Sequence, residues 1–60
     1  MRYIIERTPS KKFGIYKNGK LIYTSACPSF VEAKIENETE KMMNLGINFT
    51  VVNKCKAVMF

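Results

Sequence analysis

Asn18-Gly19 constrains this chain more than any other pair of residues. It stands between two runs rich in β-formers, Phe13-Gly-Ile-Tyr-Lys17 and Lys20-Leu-Ile-Tyr-Thr-Ser25. A type I′ turn needs φ > 0 at both central residues, and Asn-Gly meets that need at least steric cost. The pair therefore predicts a two-residue hairpin with strands at about 12–17 and 20–25. A two-residue loop also fixes the register: Lys17 faces Lys20, Tyr16 faces Leu21, Ile15 faces Ile22, Gly14 faces Tyr23 and Phe13 faces Thr24. Alternation then sorts the side chains onto two faces. Phe13, Ile15, Ile22 and Thr24 share the face expected to be core. Gly14, Tyr16, Leu21 and Tyr23 share a partly wet face, with Tyr23 lying over Gly14.

The other elements are read around that hairpin. Arg2 to Arg7 is a first strand, and Thr8-Pro9-Ser10 is a turn in which Pro presets φ. Ser29-Phe30-Val31-Glu32 has the form of a capping box, with Ser29 accepting at the Glu32 N–H and Glu32 reaching back. A helix over about 30–45 follows, closed by Gly46 in the left-handed region. Val31, Ile35, Met42 and Leu45 form its apolar stripe, which Glu38 interrupts. Either the helix rolls toward Thr39 and Met43 and leaves Glu38 at the rim, or Glu38 is half-buried and paired with a cation of the sheet. The rim position avoids the cost of burying a carboxylate. Residues 47–52 alternate as a further strand. Residues 54–60 either continue it or turn at Asn53-Lys54 into a short fifth strand.

The expected fold is α+β, in the order β-β-β-α-β. One helix packs on an antiparallel-rich sheet of four strands, or five if the tail forms one. Ile5 or Ile4, Phe13, Ile15, Ile22, Val31, Ile35, Met42, Leu45, Phe49 and Val51 are the expected core. Sixty residues hold one such domain (residues 1–60) and leave little volume for a deep pocket beside a core.

Composition narrows the function. The chain has no His, so it lacks the commonest general base and metal ligand. Cys27 and Cys55 fit neither a CxxC redox pair nor a zinc spacing. No Gly-rich phosphate loop is present, and no cofactor is implied. Cys27 precedes the helix N-terminus, where a thiol pKa can fall, yet no His is available to activate it. The chain is expected to be non-catalytic, cytoplasmic and outside the membrane, with both thiols reduced.

Charge supplies the positive indications. Phe30 to Leu45 holds two Lys against four Glu, a net −2, whereas the remainder holds eight Lys or Arg against Glu6 alone, a net +7. A basic sheet opposite an acidic helix follows. Lys11, Lys12, Lys17 and Lys20 rim the hairpin, with Tyr16 and Tyr23 interleaved. Cations of this kind meet phosphates, and aromatic faces stack on bases. Lysines on strand edges also protect a sheet against edge-to-edge pairing. Glu32, Glu36 and Glu40 stack at i, i+4, i+8, a row that opposes helix formation slightly. Such a row suits a basic surface on a partner, or is a solvated face. Lys12, Tyr16, Lys17, Lys20, Tyr23, Glu36 and Glu40 are accordingly the candidate partner-binding residues.

Several local features carry a resemblance: Tyr23-Thr24-Ser25, Ser29 with Glu32-Ala33-Lys34, and Gly46 before a Val-rich strand. With the strand–strand–strand–helix–strand order, they make the chain similar to small bacterial domains of unknown function. From Tyr3 to Met43 it also resembles the arm-binding domains of phage integrases, which lay a sheet in DNA. Its size and Lys, Asn and Ile content resemble those of short accessory proteins of bacteriophages, many of which redirect a host protein by binding it. The resemblance implies a protein-binding inhibitor or modulator of a larger host protein or complex, acting in the host cytoplasm if phage-encoded. DNA or RNA binding through the basic hairpin is the alternative. An edge strand and the apolar tail Ala57-Val58-Met59-Phe60 also offer a route to a homodimer.

Overall fold

The computed structural model describes residues 1–60. Three strands, β1 (Arg2–Arg7), β2 (Phe13–Lys17) and β3 (Lys20–Ser25), precede one helix, α1 (Pro28–Asn44), and a last strand, β4 (Thr50–Asn53). They form an α+β fold. The sheet order is β3-β2-β1-β4, with antiparallel β1–β2 and β2–β3 pairs and a parallel β1–β4 pair.

The hairpin turn forms as expected. Asn18 (φ 51°) and Gly19 (φ 86°) both occupy the positive region that a type I′ turn demands. Asn18 also ties the turn to β1. Its N–H donates to the Arg2 carbonyl at 2.8 Å, and its Oδ1 accepts from the Arg2 N–H at 3.0 Å.

The hairpin register departs from expectation after two pairs. Lys17 faces Lys20 and Tyr16 faces Leu21, but Ile15 faces Tyr23, Gly14 faces Thr24 and Phe13 faces Ser25. Ile22 is an extra residue on β3, a β-bulge, and beyond it every side chain changes face. Tyr23 therefore lies on the helix side of the sheet, half-buried against the core, with the Lys34 ammonium 6.0 Å from its ring centroid. It does not share a wet face with Tyr16. Leu21 covers Gly14 instead: a Cβ there would lie 3.0 Å from Leu21 Cδ1 and 2.7 Å from Thr8 Cγ2.

Pro28 changes how the helix starts. Its fixed φ suits the first helical position, so α1 begins there with Cys27 as N-cap and no side-chain cap bond. Ser29 is inside the helix and no capping box forms. Glu32 Oε1 accepts instead from the backbone N–H of Met59 at 2.7 Å. The C-terminal end follows expectation. Gly46 (φ 70°) donates to the Met43 carbonyl and Ile47 to the Met42 carbonyl, the paired bonds of a Schellman motif. The helix ends at Asn44, which leaves Leu45 as C-cap and 67% exposed rather than in the core.

The inward stripe of α1 is Val31, Ile35, Thr39 and Met42. The helix has rolled toward Thr39, whose buried hydroxyl donates to the Ile35 carbonyl at 2.9 Å, while Met43 remains exposed. Glu38 meets neither expectation: its side chain is only 13% exposed, more buried than a rim position, and its cation, Lys34 at 3.9 Å, comes from its own helix rather than from the sheet.

Against this stripe pack Tyr3, Ile5, Phe13 and Ile15 of the sheet. Cys55 and Val58 of the tail complete the core, while Ile22, Tyr23, Phe49 and Val51 pack at its border. The tail is neither a continuation of β4 nor a fifth strand. Asn53 folds it back: its Nδ2 donates to the Val58 carbonyl at 2.7 Å and its Oδ1 accepts from the Cys55 N–H at 2.8 Å. Tyr3, inside the core, makes an edge-on contact with Phe49 at 6.3 Å between centroids. No helix is long and apolar enough to cross a membrane.

Candidate functional site

All of α1 lies on one side of the sheet, so the other side has no covering layer. Alternation from the buried residues identifies the uncovered side chains: Arg2, Ile4 and Glu6 on β1, Gly14 and Tyr16 on β2, Thr50 and Val52 on β4. On β3 the residue before the bulge, Leu21, and the one after Tyr23, Thr24, face the same way. Cross-strand pairing aligns four of them. Leu21 pairs with Tyr16, Tyr16 with Ile4, and Ile4 with Val52. An apolar row thus crosses all four strands, about 14 Å at the usual spacing between strands. Leu21 is 42% exposed, and Ile4, Tyr16 and Val52 are half-buried. The row leaves large apolar side chains in contact with water on a face with no layer of its own to cover it.

Charges border the row. Arg2 stands on one side. On the other, Glu6 is paired with Lys54 at 3.7 Å. Lys12, two residues before Gly14, continues the uncovered face of β2 beyond the strand. The remaining four Glu are all on α1, behind the sheet. The uncovered face is therefore the basic face, as the charge distribution in the sequence anticipates.

The lysine rim, however, is two groups and not one. Lys17 and Lys20 face each other at the turn, whereas Lys11 and Lys12 lie at the opposite end of β2. Lys12 and Lys17 are five residue steps apart along the strand, about 17 Å. The Arg7 guanidinium joins the Lys11 end but is engaged there. It lies 4.4 Å from the Phe13 ring centroid and donates to the Lys11 carbonyl at 2.8 Å. Of the two tyrosines expected among the lysines, only Tyr16 is on the uncovered face. Glu36 and Glu40 are exposed on the far side of the molecule, where they border a shallow groove with Ala33, Asn37, Met43 and Phe60. Six of the seven candidate residues therefore occupy three places. Tyr16 is in the apolar row with Lys12 at its border, Lys17 and Lys20 are at the hairpin tip, and Glu36 and Glu40 are behind. Tyr23 has left the surface set.

Sequence reasoning missed Ile4, Leu21 and Val52 as site residues. The hairpin register already put Leu21 beside Tyr16, so half of the row was within reach. The parallel pairing that brings Val52 to Ile4 joins residues far apart in the chain and leaves no local signal.

The thiols differ sharply. Cys55 is buried, while Cys27 is exposed at the start of α1, with Sγ 3.1 Å from the Ser29 hydroxyl. That hydrogen bond, with the Ser29 and Phe30 backbone N–H groups, moves the Cys27 pKa below its ordinary value. No group of three or more His, Cys, Asp or Glu side chains is arranged to hold a metal ion. Comparison with known protein families, curated proteins and solved structures finds no significant match.

Proposed function

We propose that this protein is a non-catalytic binding module that docks on a larger protein or complex through the uncovered face of its sheet and modulates it. The resemblance to phage accessory proteins makes a host component the natural target. One observation carries the reading: the row Leu21–Tyr16–Ile4–Val52 crosses the whole sheet without a covering layer. Water contact with such a row is unfavourable, and a partner removes it.

The test is affinity capture with the wild-type chain and with a Tyr16→Gln/Leu21→Gln variant, whose fold is checked by its thermal transition. The same protein should be captured by the wild type and lost with the variant. Equal capture by both would remove the uncovered face as the docking surface.

A second reading, nucleic-acid binding, is favoured by Lys17 and Lys20, which face each other at the hairpin tip, where the Asn18 bonds tie the turn to the backbone of Arg2. It requires a gel shift that weakens steeply with salt and vanishes in Lys17→Glu/Lys20→Glu. No shift at low salt excludes it.

A further inference from the structure

We propose that the occupant of the uncovered face is an acidic amphipathic helix of the partner protein. This rests on the docking reading above and adds the chemistry of what docks. Three observations converge on it.

The first is charge. Arg2, Lys12 and Lys54 border the row, and the single carboxylate of that face, Glu6, is already paired with Lys54 at 3.7 Å. A complementary partner therefore surrounds its apolar residues with Glu or Asp. The same charges oppose a second copy stacked face to face, because the unpaired cations of each copy, Arg2 and Lys12, would meet no unpaired carboxylate.

The second is spacing. Neighbouring strands stand about 4.8 Å apart, and one helical turn rises about 5.4 Å. A helix laid along the row places about one apolar side chain per turn against each strand. The four residues then engage about three turns of an i, i+3, i+4, i+7 stripe.

The third is the shape of the row. Gly14, at the next level of β2, presents no side chain, and Leu21 leans over it to 3.0 Å from the position a Cβ would take. Leu21 and Thr8 thereby fill the space over Gly14, and no cleft opens on this face that would admit an inserted loop or a single side chain. No flat aromatic series is present for stacking bases, since Tyr16 is the one aromatic side chain of the face.

The experiment titrates the full-length 15N-labelled protein with two synthetic peptides of about 18 residues. Both carry Leu at i, i+3, i+4, i+7 spacing; one has Glu at most other positions and the other Lys. The Glu peptide should shift the amide signals of Ile4, Tyr16, Leu21 and Val52, with added salt weakening binding severalfold, and the Lys peptide should not. Arg2→Gln/Lys12→Gln should weaken the Glu peptide about tenfold while leaving the thermal transition unchanged. Equal binding of both peptides, shifts confined to the exposed face of α1, or no shifts at all would overturn the assignment. So would concentration-dependent shifts at the same four amides without peptide, which would identify a second copy as the occupant, or a duplex DNA that moves them more strongly than the Glu peptide. Failure of the Glu peptide, with capture still dependent on Tyr16 and Leu21, would overturn the acidic helix and leave the docking face standing. Capture indifferent to both residues would remove the face itself.

Discussion

Gly14→Ala offers a quantitative check on how the uncovered face is built. Gly14 needs no special φ; its constraint is space. An added Cβ would lie 2.7 Å from Thr8 Cγ2, 3.0 Å from Leu21 Cδ1 and 3.5 Å from the Glu6 carbonyl oxygen. Leu21 is exposed and its terminal methyl can swing away. Thr8 cannot yield so easily. It is buried, and its Oγ1 is engaged with the Lys12 N–H at 3.2 Å and the Ser10 hydroxyl at 2.8 Å. Rotating the methyl away breaks those bonds and opens the 8–12 turn. Overpacking of this kind costs about 1–3 kcal/mol. In a domain of this size each kcal/mol lowers the transition by about 4–8 °C. Gly14→Ala should therefore melt at least about 4 °C below the wild type, measured by circular dichroism. Thr8→Ser keeps the hydroxyl and deletes the obstructing methyl. In that background the cost of Gly14→Ala should fall by about half or more, a coupling that a double-mutant cycle isolates. If Gly14→Ala melts with the wild type, or if Thr8→Ser leaves its cost unchanged, the close approach of the 8–12 turn to β2 is wrong.

Three further predictions follow from other parts of the molecule. Tyr3 has a buried hydroxyl without a hydrogen-bond partner, and burial first, then the nearby Glu38 carboxylate, raises its pKa. Tyr3→Phe should therefore leave urea stability within about 0.5 kcal/mol or raise it; a loss above about 1 kcal/mol would show that the hydroxyl is satisfied. Asn53→Ala removes both bonds that fold the tail back, so it should cost about 1–3 kcal/mol and make buried Cys55 react with a thiol reagent under native conditions. Unchanged protection of Cys55 would contradict that. Cys27 should be alkylated with a pH midpoint below that of an unperturbed thiol, because its thiolate is favoured and more of it is present at lower pH. Ser29→Ala should move that midpoint upward, and no movement would remove the Ser29 hydroxyl as its main cause.

Local chemistry made much of the fold legible. Asn18-Gly19 gave the turn and the first two pairs of the hairpin, because a type I′ turn determines them. Gly46 gave the end of the helix for a similar reason. The rest depended on competition that pattern does not display. An Ile22 bulge and an unbroken strand have the same apolar run, so Tyr23 turned to the helix side while Ile22, the bulged residue, stayed at the border of the core. Pro28 at the first helical position took precedence over Ser29 as a cap, which freed Glu32 to hold the tail. Tyr3 was not among the expected core residues and is fully buried, whereas Leu45 fitted the stripe and falls past the end of the helix. For the site, Tyr16 and the polarity of charge were readable. The alignment of Ile4 and Val52 with it was not, because parallel pairing of β1 with β4 is a property of the assembled sheet.

The most direct test of the docking face is site-specific photo-crosslinking in cells. A photoreactive phenylalanine replaces Leu21 in one variant and Asn37, exposed on the outer side of α1, in another. Docking through the uncovered sheet predicts one discrete adduct with a larger protein from position 21 and none from position 37. The same adduct from position 37 alone would place the contact on the helix and contradict the uncovered sheet as the binding surface.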